Sequence, residues 1–156
     1  MGRLSGYGTH VVLAHGWEGE IYRRGDNLVA FGGGGGEQYP TVAHLATFAL
    51  PPVRGDFGGG ALATMSARDA FIALFEYPGP DAATALFAHR GVPWPFRGDD
   101  FDPAAFRVAL PNQSGLQRFF QVNGRPFCIY VVLGSHALRQ LAVRAVNDAL
   151  AAVSFD

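Results

Sequence analysis

The sequence predicts an α+β protein: a mainly antiparallel sheet with a long C-terminal helix and one or two shorter helices, layered as an α/β/α sandwich. Three observations carry this. Short β-rich runs recur with turn signals between them. One apolar stripe at three- and four-residue steps closes the chain. Strands and helices do not alternate as they would around a parallel sheet. The 156 residues suit one domain, 1–156, able to bury a core without disulfides or metal.

Taken in order, HVVLAH (10–15), WEGEIYRR (17–24) and NLVAFG (27–32) read as three short strands, with turns at Gly16 and at Gly25-Asp26. TVAHLATFAL (41–50) reads as a fourth, stopped by Pro51-Pro52. DAFIALFEY (69–77) has a nearly continuous apolar run and so reads as a central strand. DAATALFAHRG (81–91) reads as a helix from Asp81 as N-cap to Gly91 just past its end. Asp102-Pro103 resembles a further helix start, and FRVALP (106–111) reads as a strand.

LQRFFQVNGRPFCIYVVL (116–133) is a hairpin signal, because Asn123-Gly124 favours a type I′ turn. A two-residue turn sets Val122 against Arg125, Phe120 against Phe127 and Arg118 against Ile129. One face then carries Leu116, Phe120, Val122, Phe127, Ile129 and Val131. The other carries Phe119, Cys128, Tyr130 and Val132. Pro126 falls at a non-hydrogen-bonded position, where its missing N–H points away from the hairpin partner, towards a free edge. SHALRQLAVRAVNDALAAV (135–153) opens on Ser135 as N-cap. It repeats Leu138, Leu141, Ala142, Ala145, Val146, Ala149, Leu150 and Val153 along one stripe.

Composition removes several activities. Charged residues are 16% and the formal net charge is −1, which offers no field for nucleic acid or an anionic membrane. All 12 basic residues are Arg, so Schiff-base and phosphate-loop lysines are excluded. The absence of Lys, with 21 Gly and 10 Pro, matches the codon bias of a GC-rich bacterium. Cys128 is the single cysteine and forms no intramolecular disulfide. The opening residues carry no apolar h-region or cleavage site, and no run approaches the ~20 apolar residues of a membrane span. A cytoplasmic location is expected.

The glycine run in FGGGGGEQYP (31–40) lacks the Gly-Lys-Ser/Thr ending and following helix of a phosphate loop, and is expected to be slack chain. Arg-Gly-Asp occurs at 24–26, 54–56 and 97–99, where turn chemistry accounts for it. The five histidines show no metal-ligand spacing, and no Gly-x-Ser-x-Gly is present. Neither a cofactor, a metal nor a catalytic residue is expected. The loop HRGVPWPFRGDDF (89–101) carries Trp94, Phe96 and Phe101 on a proline-stiffened backbone, fit either to anchor a partner or to fold back on the core.

Gly16-Trp17 among short N-terminal strands, the aromatic hairpin RFFQVNGRPFCIYVVLG and the final VNDALAAVSF together resemble the PsbP-like superfamily. That superfamily includes the photosystem II extrinsic protein and the nuclear-import factor that acts on the Ran GTPase. The resemblance implies an α/β/α sandwich around an antiparallel sheet, and binding of other proteins through surface loops. It carries over no functional residue. The function expected is therefore a non-enzymatic protein-interaction or accessory domain with a protein partner. The alternative is a small-molecule binder or enzyme with a pocket between sheet and helix. Contact residues for either are Trp17, Trp94, Phe96 and Tyr130.

Overall fold

The structure, a computed structural model, describes residues 2–23, 40–105 and 108–156. The strand expected at 27–32, the glycine run except for Pro40, and the Arg-Gly-Asp at 24–26 lie outside these. The fold is α+β, with two antiparallel sheets and one C-terminal helix. The strands are β1 (Gly2–Gly6), β2 (Thr9–Leu13), β3 (Glu18–Arg23), β4 (Thr41–Ala46), β5 (Ala70–Glu76), β6 (Ser114–Val122), β7 (Arg125–Leu133) and β8 (Val153–Phe155). The helix is α1 (Arg139–Ala151). The small sheet runs β1-β2-β8 and the large one β3-β4-β5-β7-β6.

The hairpin forms in the predicted register, with Val122 opposite Arg125 and Phe120 opposite Phe127. Asn123 (φ 54°) and Gly124 (φ 76°) take the left-handed conformation that a type I′ turn needs. The two faces separate as the alternation requires. Leu116, Phe120, Phe127, Ile129 and Val131 join the cluster that receives α1, while Tyr130 and Val132 join a second cluster on the other face. Pro126 lies just past Glu76–Phe127, the last β5–β7 pair. Its carbonyl still accepts from Tyr77 N–H (2.8 Å). Its nitrogen faces the same side, where the β5 ladder has ended, so the missing donor costs nothing there.

β5 is the middle strand, as its apolar run implies, and β4 beside it is buried at every position. Two strands escape sequence reading. β1 is Gly-rich and polar, and is held by its pairing with β2 across the Tyr7-Gly8 turn. β8 begins at Val153, the last residue of the stretch read as helix. The helix stops at Ala151, and Val153 enters β2's ladder opposite Val11.

Other expectations need correction. Residues 81–91 form no α-helix. Up to Phe87 they lie mostly in short 3₁₀ turns, Gly79–Ala83 and Ala85–Phe87, and from 88 on they are not helical. Asp102 caps no helix either. It bridges Gly115, and its carboxylate accepts from Ala104 N–H (2.8 Å). Residues 108–111 of the expected strand at 106–111 are not a strand. On α1 the buried stripe is Ala142, Val143, Val146, Ala149 and Leu150, whereas Leu141 is 56% exposed. At about 3.6 residues per turn, Leu141 lies more than about 90° round α1 from the centre of that stripe, so the sheet-facing side leaves it in solvent, and only Leu138, in the 3₁₀ turn His136–Leu138, precedes the helix.

The small sheet packs beside α1 on the same face of the large sheet. Val11 sits in the common core, with Leu4, Leu13, Val153 and Phe155 packed against it. Arg125 ties the two sheets. Its guanidinium donates to both carboxylate oxygens of Glu76 (2.8 and 2.9 Å) and to the carbonyls of Tyr7 and Gly8 (2.9 and 2.8 Å). It also lies 5.2 Å from the Phe127 ring centroid. Glu76 holds the Arg125 cation firmly protonated, against the opposing effect of its partial burial.

Leu150→Ala should cost about 2–4 kcal/mol through lost burial and a cavity. Leu141→Ala, on the exposed side, should stay within about 0.5 kcal/mol of wild type. Urea unfolding of the two variants separates these outcomes. In the same assay Arg125→Ala should cost about 2–4 kcal/mol, because it strands Glu76 and two turn carbonyls at once.

Candidate functional site

The loop 89–102 runs along the β6 edge and then crosses to α1. Gln121 N–H donates to His89 C=O, and Gln121 C=O accepts from Gly91 N–H, each at 2.8 Å. The peptide Trp94–Pro95 is cis. Phe96 is clamped by one side-chain amide: its N–H donates to Asn147 Oδ1 (2.8 Å) and its carbonyl accepts from Asn147 Nδ2 (2.9 Å). Gly98 lies so close to Gln140 that a Cβ there would fall 2.5 Å from Oε1. Asp99 then accepts from Gln140 Nε2 (3.0 Å). Asp102 and Gly115 exchange both backbone bonds (2.9 and 3.0 Å), which returns the loop to the sheet.

On this frame the aromatic residues divide. Phe96 and Phe101 are buried in the core below α1, at 5% and 4% exposure. Trp94 stays 43% exposed. Trp17 is partly buried against the helix-side core. Tyr130, at 2% exposure, belongs to the cluster on the opposite face of the sheet. The sheet therefore stands between Tyr130 and both Trp17 and Phe96. The sheet–helix interface expected to hold a pocket is filled by wholly buried Ile72, Ile129, Val131, Leu133 and Val146.

A cavity of about 390 Å³ does occur at the end of the sheet, lined in part by Arg23, Thr41, Glu76, Tyr77, Gly124 and Arg125. Of its three charged groups, Glu76 and Arg125 are engaged with each other, and the Arg23 guanidinium lies over the Tyr7 ring (4.3 Å).

A polar cluster joins β3 and β4 to the loop after Pro51. His44 is fully buried, and its Nε2–H donates to Asp56 C=O (2.7 Å). That leaves Nδ1 to accept from Arg54 Nε (2.7 Å). Arg54 continues to Glu20 Oε1 (2.6 Å) and to Pro51 C=O (2.9 Å). Tyr22 O–H donates to Asp56 Oδ1 (2.8 Å). Both ring nitrogens are satisfied with the imidazole neutral. Burial, reinforced by the Arg54 cation, lowers the His44 pKa from 6.5 to about 4. Burial first, then the hydrogen bond and charge of Asp56, raises that of Tyr22. A neutral imidazole locked between a cation and a carbonyl holds a loop in place; it has no free nitrogen for a proton or metal.

This network also explains one Arg-Gly-Asp. The Arg54 side chain is only 6% exposed, so the 54–56 triplet is closed to an external receptor. Sequence reasoning missed the network because Glu20, Tyr22, His44, Arg54 and Asp56 come from three separate segments. The only local signal was a glycine-bounded loop carrying opposite charges. Among the described residues, no group of three His, Cys, Asp or Glu side chains could hold a metal, and no helix is long and apolar enough to cross a membrane.

A scan against protein-family models and searches of curated proteins and of solved structures find no match for this chain.

The unfolded chain takes up a proton on His44 near pH 6.5, and the folded chain refuses it until about pH 4. His44 should therefore contribute full stability above pH 6.5. That contribution should fall as pH drops and level off near pH 4, a loss of roughly 3 kcal/mol. Urea midpoints across this range should show it, and His44→Gln should flatten that part of the slope.

Proposed function

We propose that this chain is a protein-interaction or accessory domain on the PsbP-like plan, with the 89–101 loop as its contact surface. In that plan an antiparallel sheet is covered on both faces. Here α1 and the small sheet cover one face, and the segment around the 3₁₀ turn Leu62–Thr64 packs on the other. The observation that carries the reading is Trp94, a large apolar ring left 43% exposed on a loop pinned at both ends and at its centre. Ordering a loop costs free energy on binding, so a loop already fixed can present an anchor with that cost removed. Tryptophan is the side chain most often found in such anchors. The filled sheet–helix interface supports the same reading, since it takes away the expected ligand pocket. A second reading, small-molecule binding, rests on the cavity at the end of the sheet.

Trp94→Ala should abolish recovery of specific partners in affinity purification with mass spectrometry. Its urea midpoint should remain within about 0.5 kcal/mol of wild type. Val53→Ala, at an 89% exposed site elsewhere, should recover the same partners as wild type. Equal recovery from Trp94→Ala and wild type would remove this loop from the interface.

A further inference from the structure

We propose that Ser5, His10 and Asp156 form a nucleophilic acyl-transfer site on the outer face of the small sheet. The proposal goes beyond the interaction reading and does not rest on it. Ser5 and His10 are direct cross-strand partners in β1 and β2. Ser5 Oγ lies 2.5 Å from His10 Nδ1, and His10 Nε2 lies 2.8 Å from Asp156 Oδ1. A carboxylate at Nε2 requires that nitrogen to carry the hydrogen. Nδ1 is then the lone-pair nitrogen, and the Ser5 hydroxyl is its donor. This is the order nucleophile, base, orienting carboxylate that activates a serine.

The ladder explains why the pair meets. Val12 N–H donates to Ala152 C=O, and Asp156 N–H donates to Gly8 C=O. Gly8, His10 and Val12 therefore turn their backbone groups towards β8. In the β1–β2 pair, Ser5 opposite His10 is then a non-hydrogen-bonded pair, the kind in which side chains approach most closely. The same alternation turns the Ser5 N–H away from β2, at the open edge of the sheet. It stands beside its own hydroxyl, where it can donate to a developing oxyanion.

Ser5 and His10 border a groove of about 370 Å³ lined also by Arg3, Leu4, Val12 and Ser154, among others; Asp156 reaches it through His10 Nε2. Ser5 is exposed, and the side chains of His10 and Asp156 are 39% and 75% exposed, so substrate and water both reach them. Arg3 lies two residues before Ser5 on the same face of β1, roughly 7 Å along the strand. Among the described residues it has no ion-pair partner. It marks the substrate as an ester whose acyl group carries a carboxylate.

In the first step Ser5 Oγ bonds to the ester carbonyl carbon while its proton passes to His10 Nδ1. The carbonyl electron pair moves onto oxygen, near the Ser5 amide. Collapse breaks the carbon–alkoxy bond, and the leaving alcohol takes the proton from His10. Water then adds to the acyl-serine, giving a proton to His10. Collapse of that intermediate returns the proton to Ser5 and releases the acid. Asp156 is a positioning residue throughout, holding the tautomer and the ring.

A fluorophosphonate applied to the wild-type chain should modify Ser5, located by peptide mass spectrometry. Hydrolysis of p-nitrophenyl hemisuccinate should fall by about 10²-fold or more in Ser5→Ala and in His10→Gln. All three groups are exposed, and thermal melts of the variants should match wild type. Hemisuccinate should be preferred over p-nitrophenyl acetate, and Arg3→Ala should erase the preference. Label absent from Ser5, or rates unchanged in Ser5→Ala, would overturn the site. No preference for hemisuccinate would overturn the role of Arg3.

Discussion

Asn123 and Gly124 hold positive φ, and the two-residue turn they make sets Val122 opposite Arg125 and every later pair of β6 and β7 with it. A slip of one residue would exchange the two faces of β7. Ile129, Val131 and Phe127 would leave α1, and Tyr130 and Cys128 would meet it instead. Since β7 is buried at nearly every position and is paired on both sides, β5 and then β4 inherit their placement from it. One local conformational preference is thus propagated through the sheet by hydrogen-bond periodicity.

The small sheet depends on the same turn by another route. Arg125, the residue just after it, reaches back to the carbonyls of Tyr7 and Gly8, which form the turn of the β1–β2 hairpin. Two tight turns from opposite ends of the chain are thereby locked through one guanidinium, with Glu76 balancing its charge. The His44–Arg54 network does comparable work at another place on the sheet, where it binds the loop after Pro51 to β3 and β4. In both, a partly or wholly buried charge is offset by hydrogen bonds and by an opposite charge.

Both proposed sites use what these restraints leave unused. The interior is closed between sheet and helix, and the ionisable groups of the sheet are mostly committed to holding loops. Trp94 and the Ser5–His10–Asp156 array differ in kind from those groups. Each is exposed and is held in place by pairing elsewhere in the fold. The tryptophan depends on the Phe96 clamp, and the array on the β1–β2–β8 ladder.

Where turn chemistry or long periodicity was strong the sequence sufficed, whereas the capping signals at Asp81 and Asp102 did not make helices. The Asn-Gly turn determined the hairpin and its two faces, the uninterrupted apolar run of β5 its central place, and the three- and four-residue spacing the helix. Weak or non-local signals required the tertiary structure. β1 has too little β-propensity to be read alone and exists through its pairing with β2. β8 looked helical because Ala-Ala-Val continues the spacing, yet its backbone bonds are better satisfied in the ladder of β2. Leu141 was placed on the wrong side because it shares three- and four-residue steps with Leu138 and Ala145, while packing turns the Ala142–Val143–Val146–Leu150 side to the sheet. Of the four contact residues named from sequence, which one stays exposed was settled by packing. Ser5, His10 and Asp156 show no motif because two strands and a distant third meet only through register, and register is a property of the folded sheet.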